Sequence, residues 1–528
     1  MKSINLQIIL VFLLIFDICL TKKGISFLQK LQMVSPADSC KDLTFTPKED
    51  IVKIIGRFYQ KEDITWIVQS GSSIEFYATG LSSEVILVGG SSIYNDPNYR
   101  TRFGVYIDDK NILDTIMGEE ELPVELFKGS SEKKVKVKVM LLSEANNGGI
   151  GIKTININSC NERPINPTEK KKLSIEFIGD SITAGYGVEG ANQYENFKTT
   201  TENFSKSYAY LTAQKLDADY SVVCYSGHGI VSGYSTGEKN SEALVPEVYT
   251  RISKNDDYPG EWDFDNHSYD VVVINLGTND LNYIKAAPEK RNDEFIQEYA
   301  NFLSLIREKN PKSYIICTVG IMGGGEEIYP LIARAVDLIG DKKISSYESN
   351  VQNMNDGLGS DWHPSLITQT YNSYVLSDKI CNAIGIESDQ VGLDVASNSV
   401  YDVSKNEDNG ANMSFWVGYD KSFWINTVLG GKEPTDIEAT CSGIQLKKGG
   451  VYLLEFEYTS TKDGEIPVII RGKKEYFKDS IKSTSEKVKY SEEINIEEND
   501  NNAEIVYQLG GLDSFGFTLT NIKLTKIK

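Results

Sequence analysis

The chain has 528 residues, too many for one hydrophobic core, and at ~150 residues per domain the length points to about three. Its 54 Lys and Arg against 75 Asp and Glu give a formal charge of -21, which repels nucleic acid and anionic membrane alike and suits action on a neutral polymer. No H-E-x-x-H, no Cys or His cluster at zinc-ligand spacing and no Walker lysine occurs, so neither a metal nor a cofactor is implied.

Residues 1–20 carry Lys2 and an apolar run from Leu6, and Lys22-Lys23 follow, the layout of a secretory signal, although Asp17 interrupts the run and no small-x-small site follows. A secreted, extracellular protein that keeps no membrane segment is therefore expected. Residues 51–159 contain short alternating runs (ITWIVQ, SSIEFYAT, EVILVGG, FGVYIDD, KVKVKVMLL, GIKTININ) split by Gly, Ser, Asn and Asp, which predicts a β-sandwich over residues 45–160. Cys40 and Cys160 bracket it and are expected to close it as a disulfide. Residues 161–172 (NERPINPTEKKK) read as a linker.

From 170 to 388 strand patterns alternate with helical ones. Strands are expected at 173–178, 220–225, 270–276 and 313–319, and helices at 205–216, 293–309, 326–339 and 365–383, which predicts a parallel three-layer α/β sheet. Cys224 and Cys317 fall within the apolar strands and read as buried thiols. Residues 392–528 return to amphipathic strands (VYLLEFEYTS, EIPVIIRG, AEIVYQLGG, FGFTLTNIKLTKI) and read as a second β-sandwich. Asn203, Asn266 and Asn412 begin N-x-S triplets compatible with secretion.

Three strands end in polar, glycine-bearing turns: GDSITAGYG from Gly179, SGHG from Ser226 and GTND from Gly277. In an open parallel sheet ligands bind outside the carboxyl ends of the strands, so these turns converge on one crevice. A fourth block, Asp361-Trp362-His363-Pro364, holds one of only three histidines just ahead of the last helix of that region. In this order the blocks resemble the SGNH (GDSL-type) hydrolases, and EFIGDSITAGYGV, YSGHGI, VPEVY, INLGTND and SDWHPS are similar to carbohydrate esterase family 2. The resemblance spans roughly residues 50–385.

The resemblance implies an N-terminal jelly-roll β-sandwich, a central three-layer α/β/α SGNH domain and a serine esterase that deacetylates plant polysaccharides. It implies Ser181 as nucleophile, His363 as base, and an oxyanion hole of the Ser181 and Gly227 amides with the Asn279 side chain. Asp361 is near enough to orient the imidazole as the third member, and a backbone carbonyl can do the same work. The blander reading of Ser181 is a helix cap, and of Gly227 and Asn279 plain turn residues. Asp180 and Asp280 are expected to stabilise their turns.

A base of ordinary pKa, roughly 6.5, predicts an acid limb of activity near that value. Gly233-Tyr234-Ser235-Thr236-Gly237 also fits the nucleophile-elbow pattern, but no strand leads into it and no helix leaves it, so Ser235 reads as a loop residue. Trp262, Tyr234 and Trp362 near the site, and Trp416, Tyr419 and Trp424 in the last region, are candidate sugar platforms. The last region is loosely similar to family 4/9 carbohydrate-binding modules. Two other readings stay open: a sugar-binding protein on an inactive hydrolase scaffold, and an esterase of other acyl specificity.

Overall fold

The computed structural model describes residues 40–397, 399–418 and 421–528. The signal expected over 1–20 and the platform candidate Tyr419 lie outside the described residues. The chain is mixed α/β, with a central parallel sheet and β-sandwich-like sheets on either side of it in sequence.

The first part is a ten-stranded antiparallel sheet built on two long strands, Ser73–Gly89 and Glu121–Leu141. SSIEFYAT and EVILVGG, expected as separate strands, are one strand. The polar Ser82-Ser83 between them makes register shifts rather than a turn, so the strand bends and keeps its partner. The inward set, including Phe76, Val85, Val105, Val137 and Ile155, closes a buried core. Lys41–Phe45 runs antiparallel to Ile150–Ser159 with Lys41 opposite Ser159, and Cys40 and Cys160 form a disulfide beside that pair. The expected linker at 161–172 is not free chain. Ile165–Pro167 adds an edge strand against Phe76–Ala78, where the missing proline N–H costs no ladder bond.

The central sheet has five parallel strands, β1 (Leu173–Gly179), β2 (Ala218–Cys224), β3 (Val271–Asn275), β4 (Tyr314–Val319) and β5 (Ile344–Glu348), in the order β2-β1-β3-β4-β5. Order reverses between β1 and β3, which makes that gap the crevice at which ligands bind. Alternation sends side chains to opposite faces. Ile178, Val272 and Ile274 pack in one cluster with α3 (Leu281–Ala286), α4 (Pro288–Lys309) and α5 (Gly325–Ile339). Phe177, Val222 and Val273 pack on α2 (Tyr208–Lys215) and α6 (Leu366–Ile384). Sequence reading missed β5 (ISSYE), because a half-polar edge strand has no apolar run to reveal it.

The last part is two five-stranded antiparallel sheets whose inner side chains, among them Ile425, Leu454, Phe456, Val468, Ile505 and Phe517, share one core. It is tied to the loop before α6 by a Lys421–Asp356 ion pair and by Asn353 Nδ2 donating to Ser399 O at 2.8 Å. The first sheet is tied in more deeply. Arg57, fully buried, pairs at 3.0 Å with Glu176 on β1 and donates to the Tyr249 and Arg251 carbonyls, while Tyr249 Oη donates to the other Glu176 oxygen at 2.8 Å.

Candidate active site

Ser181 opens α1 (Ser181–Ala184), a single turn capped by Asp180, whose carboxylate accepts from Ile182 N at 3.0 Å. Gly179 is required before it: a Cβ there would sit 2.0 Å from Thr183 Oγ1 and 2.8 Å from Thr183 Cβ. The strand therefore turns at once, and Ser181 stands at the β1/β3 switch point.

His363 Nε2 lies 2.8 Å from Ser181 Oγ. The two are 182 residues apart, and the loop that joins them across the crevice is clamped. Ser360 N donates to Gly187 O and Asp361 N to Glu195 O, and Leu358 bridges to Pro364. Nδ1 of His363 is 3.1 Å from the main-chain carbonyl of Asp361. A carbonyl only accepts, so Nδ1 carries the hydrogen and Nε2 presents its lone pair to the serine. That is the tautomer a general base needs.

The Asp361 carboxylate is turned elsewhere, so of the two acceptors left open by the motif it is the main-chain carbonyl that meets Nδ1. Its Oδ2 accepts from Tyr186 Oη and Phe197 N, both at 3.0 Å. The physical cause is local: Asp361 has φ +50° and ψ +41°, and Trp362 has φ +65°. Two consecutive left-handed residues bring the carbonyl under the imidazole and swing the side chain out, at a cost of order 1 kcal/mol each for non-glycine residues.

Tyr186 and Phe197 were not foreseen as site residues, although Tyr186 sits inside the GDSITAGYG block. The Tyr186 ring lies 4.1 Å from the imidazole and 4.1 Å from the Phe197 ring. This stack covers His363, and burial pushes its pKa down to about 4, against smaller raising effects of the Asp361 and Ser360 backbone and the Asp361 charge. The acid limb near 6.5 is what an unperturbed imidazole would give, and an imidazole shielded from water resists protonation, so the limb is expected lower.

Gly227 and Asn279 follow β2 and β3. Gly227 has φ +77°, and a Cβ there would meet nothing within 4 Å, so conformation rather than space calls for glycine. Asn279 is 9% exposed, and its Nδ2 donates to His228 O at 2.9 Å with a longer 3.3 Å contact to Asp180 Oδ2. Asp280 accepts from the amides of Ile230, Val231 and Ser232. Burial raises Asp180 to about 7 and Asp280 to about 6. Ser235 is in a loop with its Oγ accepting from Gly237 N.

Among the aromatic candidates, Trp262 is 6% exposed and packs on Phe58, His267 and Arg57, so it belongs to the core. Trp362 is half-exposed beside His363 and meets the Tyr194 ring edge-on at 5.7 Å. Tyr234, Trp416 and Trp424 are exposed, the last two 5.5 Å apart. Asn203 is buried, with its amide donating to Glu189 and its oxygen accepting from Ser205, so it offers no acceptor for a glycan in the folded chain.

Residues 177–341 match the GDSL-like Lipase/Acylhydrolase family. The chain is similar to the cellulase/esterase CelE of Acetivibrio thermocellus, 30% identical over 351 residues, which is 64% of this chain and 40% of that protein. It is also similar to an acetylxylan esterase / glucomannan deacetylase of Cellvibrio japonicus, 23% identical over 61% of this chain and 86% of the relative. Among solved structures, a family two carbohydrate esterase from Clostridium thermocellum in complex with cellohexaose superposes with a TM-score of 0.55 at 27% identity, covering 63% of this chain and 99% of that one. The chain thus spans less than half the length of one of these relatives and most of the others.

Proposed function

We infer that this chain, whose residues 177–341 belong to the GDSL-like lipase/acylhydrolase family, is a carboxylic ester hydrolase that removes acetyl groups from a plant polysaccharide such as xylan or glucomannan. The observation that carries the reading is the 2.8 Å approach of His363 Nε2 to Ser181 Oγ, with Nδ1 engaged by a carbonyl. Relatives named as esterases and acetylxylan esterases support the substrate class.

In this reading Ser181 Oγ attacks the acetyl carbonyl while Nε2 takes its proton. The Ser181 and Gly227 amides and Asn279 Nδ2 receive the oxyanion. Asn279 Nδ2 keeps one N–H on the His228 carbonyl at 2.9 Å, and its second N–H, held only by the longer 3.3 Å Nδ2 contact to Asp180 Oδ2, is the one given to the substrate oxygen. The protonated imidazole then returns its proton to the departing sugar oxygen, leaving acetyl-Ser181 and a free hydroxyl. Water, deprotonated by the same nitrogen, releases acetate. The Asp361 carbonyl holds the imidazolium in place, so the unit is a Ser-His pair with a main-chain acceptor rather than a carboxylate triad.

We read residues 45–160 as a jelly-roll support, 170–388 as the catalytic unit and 392–528 as a sugar-binding unit, all exported. No helix among the described residues is long and apolar enough to cross a membrane. Trp362, next to His363 in the chain, and Tyr194 against it are exposed and offer rings on which a sugar can stack.

The test is acetate release from acetylated xylan and acetylated glucomannan, with Ser181→Ala alongside. Release by wild type alone supports the reading. Binding of the polymer by both with release by neither replaces it with a binding protein, and a preference for longer acyl esters replaces the acetyl specificity.

A further inference from the structure

We propose that His228 is a positioning residue for this reaction, locking the peptide that carries the Gly227 N–H. The inference rests on the reading above, in which that N–H and the Asn279 amide receive the oxyanion.

His228 N donates to Tyr225 O at 3.2 Å, closing a four-residue turn with Gly227 third, and the φ of +77° at Gly227 is what the third position of a type II turn demands. Such a turn leaves its middle peptide free to flip unless something holds it. Here the Ser226 carbonyl is 3.0 Å from His228 Nδ1. The carbonyl only accepts, so Nδ1 is protonated. On the ring's far side Nε2 is 2.8 Å from Lys254 Nζ, which as an ammonium only donates. One neutral tautomer satisfies both contacts. Burial lowers the pKa of His228 to about 4, with the Lys254 charge acting in the same direction, so the ring stays in that form across neutral pH.

The Ser226 oxygen and the Gly227 hydrogen belong to one planar trans peptide, the described chain having no cis bonds. Fixing the oxygen on His228 fixes the hydrogen in the opposite direction, away from the ring, and a Cβ built on Gly227 would meet nothing within 4 Å. The preceding peptide is held as well, since Ser226 N donates to Glu144 Oε2 at 2.8 Å. Glu144 comes from the loop after Glu121–Leu141 of the first sheet, and its own amide donates to Glu202 at 2.9 Å. The His228 carbonyl, finally, is the acceptor that orients Asn279. One residue thus touches both groups that follow β2 and β3.

A histidine that merely fills the core would not need Nδ1 as donor, and this separates the two roles. His228→Phe keeps the ring and its packing 5.3 Å from Tyr225 but loses the donor. His228→Asn keeps a donor where Nδ1 was. In the full chain, on 4-nitrophenyl acetate and acetylated xylan, kcat of the Phe variant is expected to fall about 10- to 100-fold with KM within about twofold, less than the loss from deleting an oxyanion donor outright. The Asn variant is expected to recover to within about fivefold of wild type, although its melting temperature falls as far. Lys254→Met, which frees Nε2 and lets the ring turn, is expected to lose about threefold in kcat.

A folded Phe variant with unchanged kcat beside an impaired Asn279→Ala overturns the role of His228 and leaves the esterase reading intact. An unimpaired Asn279→Ala overturns the oxyanion reading itself. If the Phe variant does not fold, Lys254→Met decides, and an unchanged kcat overturns the proposal.

Discussion

Replacing Asp361 separates a carboxylate triad from the arrangement seen here. The Asp361→Asn variant keeps the main-chain carbonyl 3.1 Å from His363 Nδ1, and its side-chain oxygen can still accept from Tyr186 Oη and Phe197 N, now at 3.0 Å each from a charged group. Asn also tolerates the left-handed φ of +50°. What changes is the charge on two hydrogen bonds. Charge-assisted bonds are worth ~1.5–3 kcal/mol and neutral ones ~0.5–1.5, so for a partly exposed group the two together cost about 1–2 kcal/mol of loop stability. The chemistry is one step removed, so kcat is expected within about fivefold of wild type while the melting temperature drops a few degrees. A carboxylate bonded to the imidazole is worth about 10⁴ in kcat on removal. The assay is steady-state hydrolysis of 4-nitrophenyl acetate with thermal melts on the same preparations. A loss beyond about a thousandfold in a folded Asn variant refutes the carbonyl reading.

Only the neutral imidazole acts as base, and burial lowers its pKa, so activity is retained as pH falls through the ~6.5 of free histidine and is lost towards the buried value of about 4. A half-maximal point at or above pH 6.5 in a kcat/KM profile contradicts the burial. Arg57→Met leaves the Glu176 carboxylate buried and unpaired, both side chains being 0% exposed, and is expected to cost about 3–5 kcal/mol in a denaturant melt. Adding Glu176→Gln should restore part of this, and an unshifted melt counts against the buried pair. Trp362→Ala is expected to raise KM for acetylated xylan about tenfold and to leave 4-nitrophenyl acetate nearly unaffected. Equal effects on both substrates would make Trp362 a support for His363 rather than a sugar contact.

Much of the site was legible because its signals are local. A strand ending in Gly-Asp-Ser, another ending in Ser-Gly and a third in Gly-Thr-Asn-Asp are each read from a few adjacent residues, and parallel topology then brings their ends together without further information. His363 was legible for the same reason, as a rare residue held ahead of a helix. The long bent strand Ser73–Gly89 was read as two, since a polar pair looks like a turn until a partner strand is seen running through it.

The remainder is tertiary. Asp361 offers both a carboxylate and a carbonyl two residues from His363, and composition cannot choose between them; a left-handed backbone does. The burial of His363 depends on the ring of residue 186, itself backed by that of residue 197, lying against it, and the hold on Ser226 reaches across 82 residues from Glu144. Sequence thus named the side chains to which the proposed reaction assigns its steps, because chemistry demands particular residue types. Their orientation and solvation were decided by groups that only the folded chain brings near, because hydrogen bonds and burial act over a few ångströms of space whatever the distance along the chain.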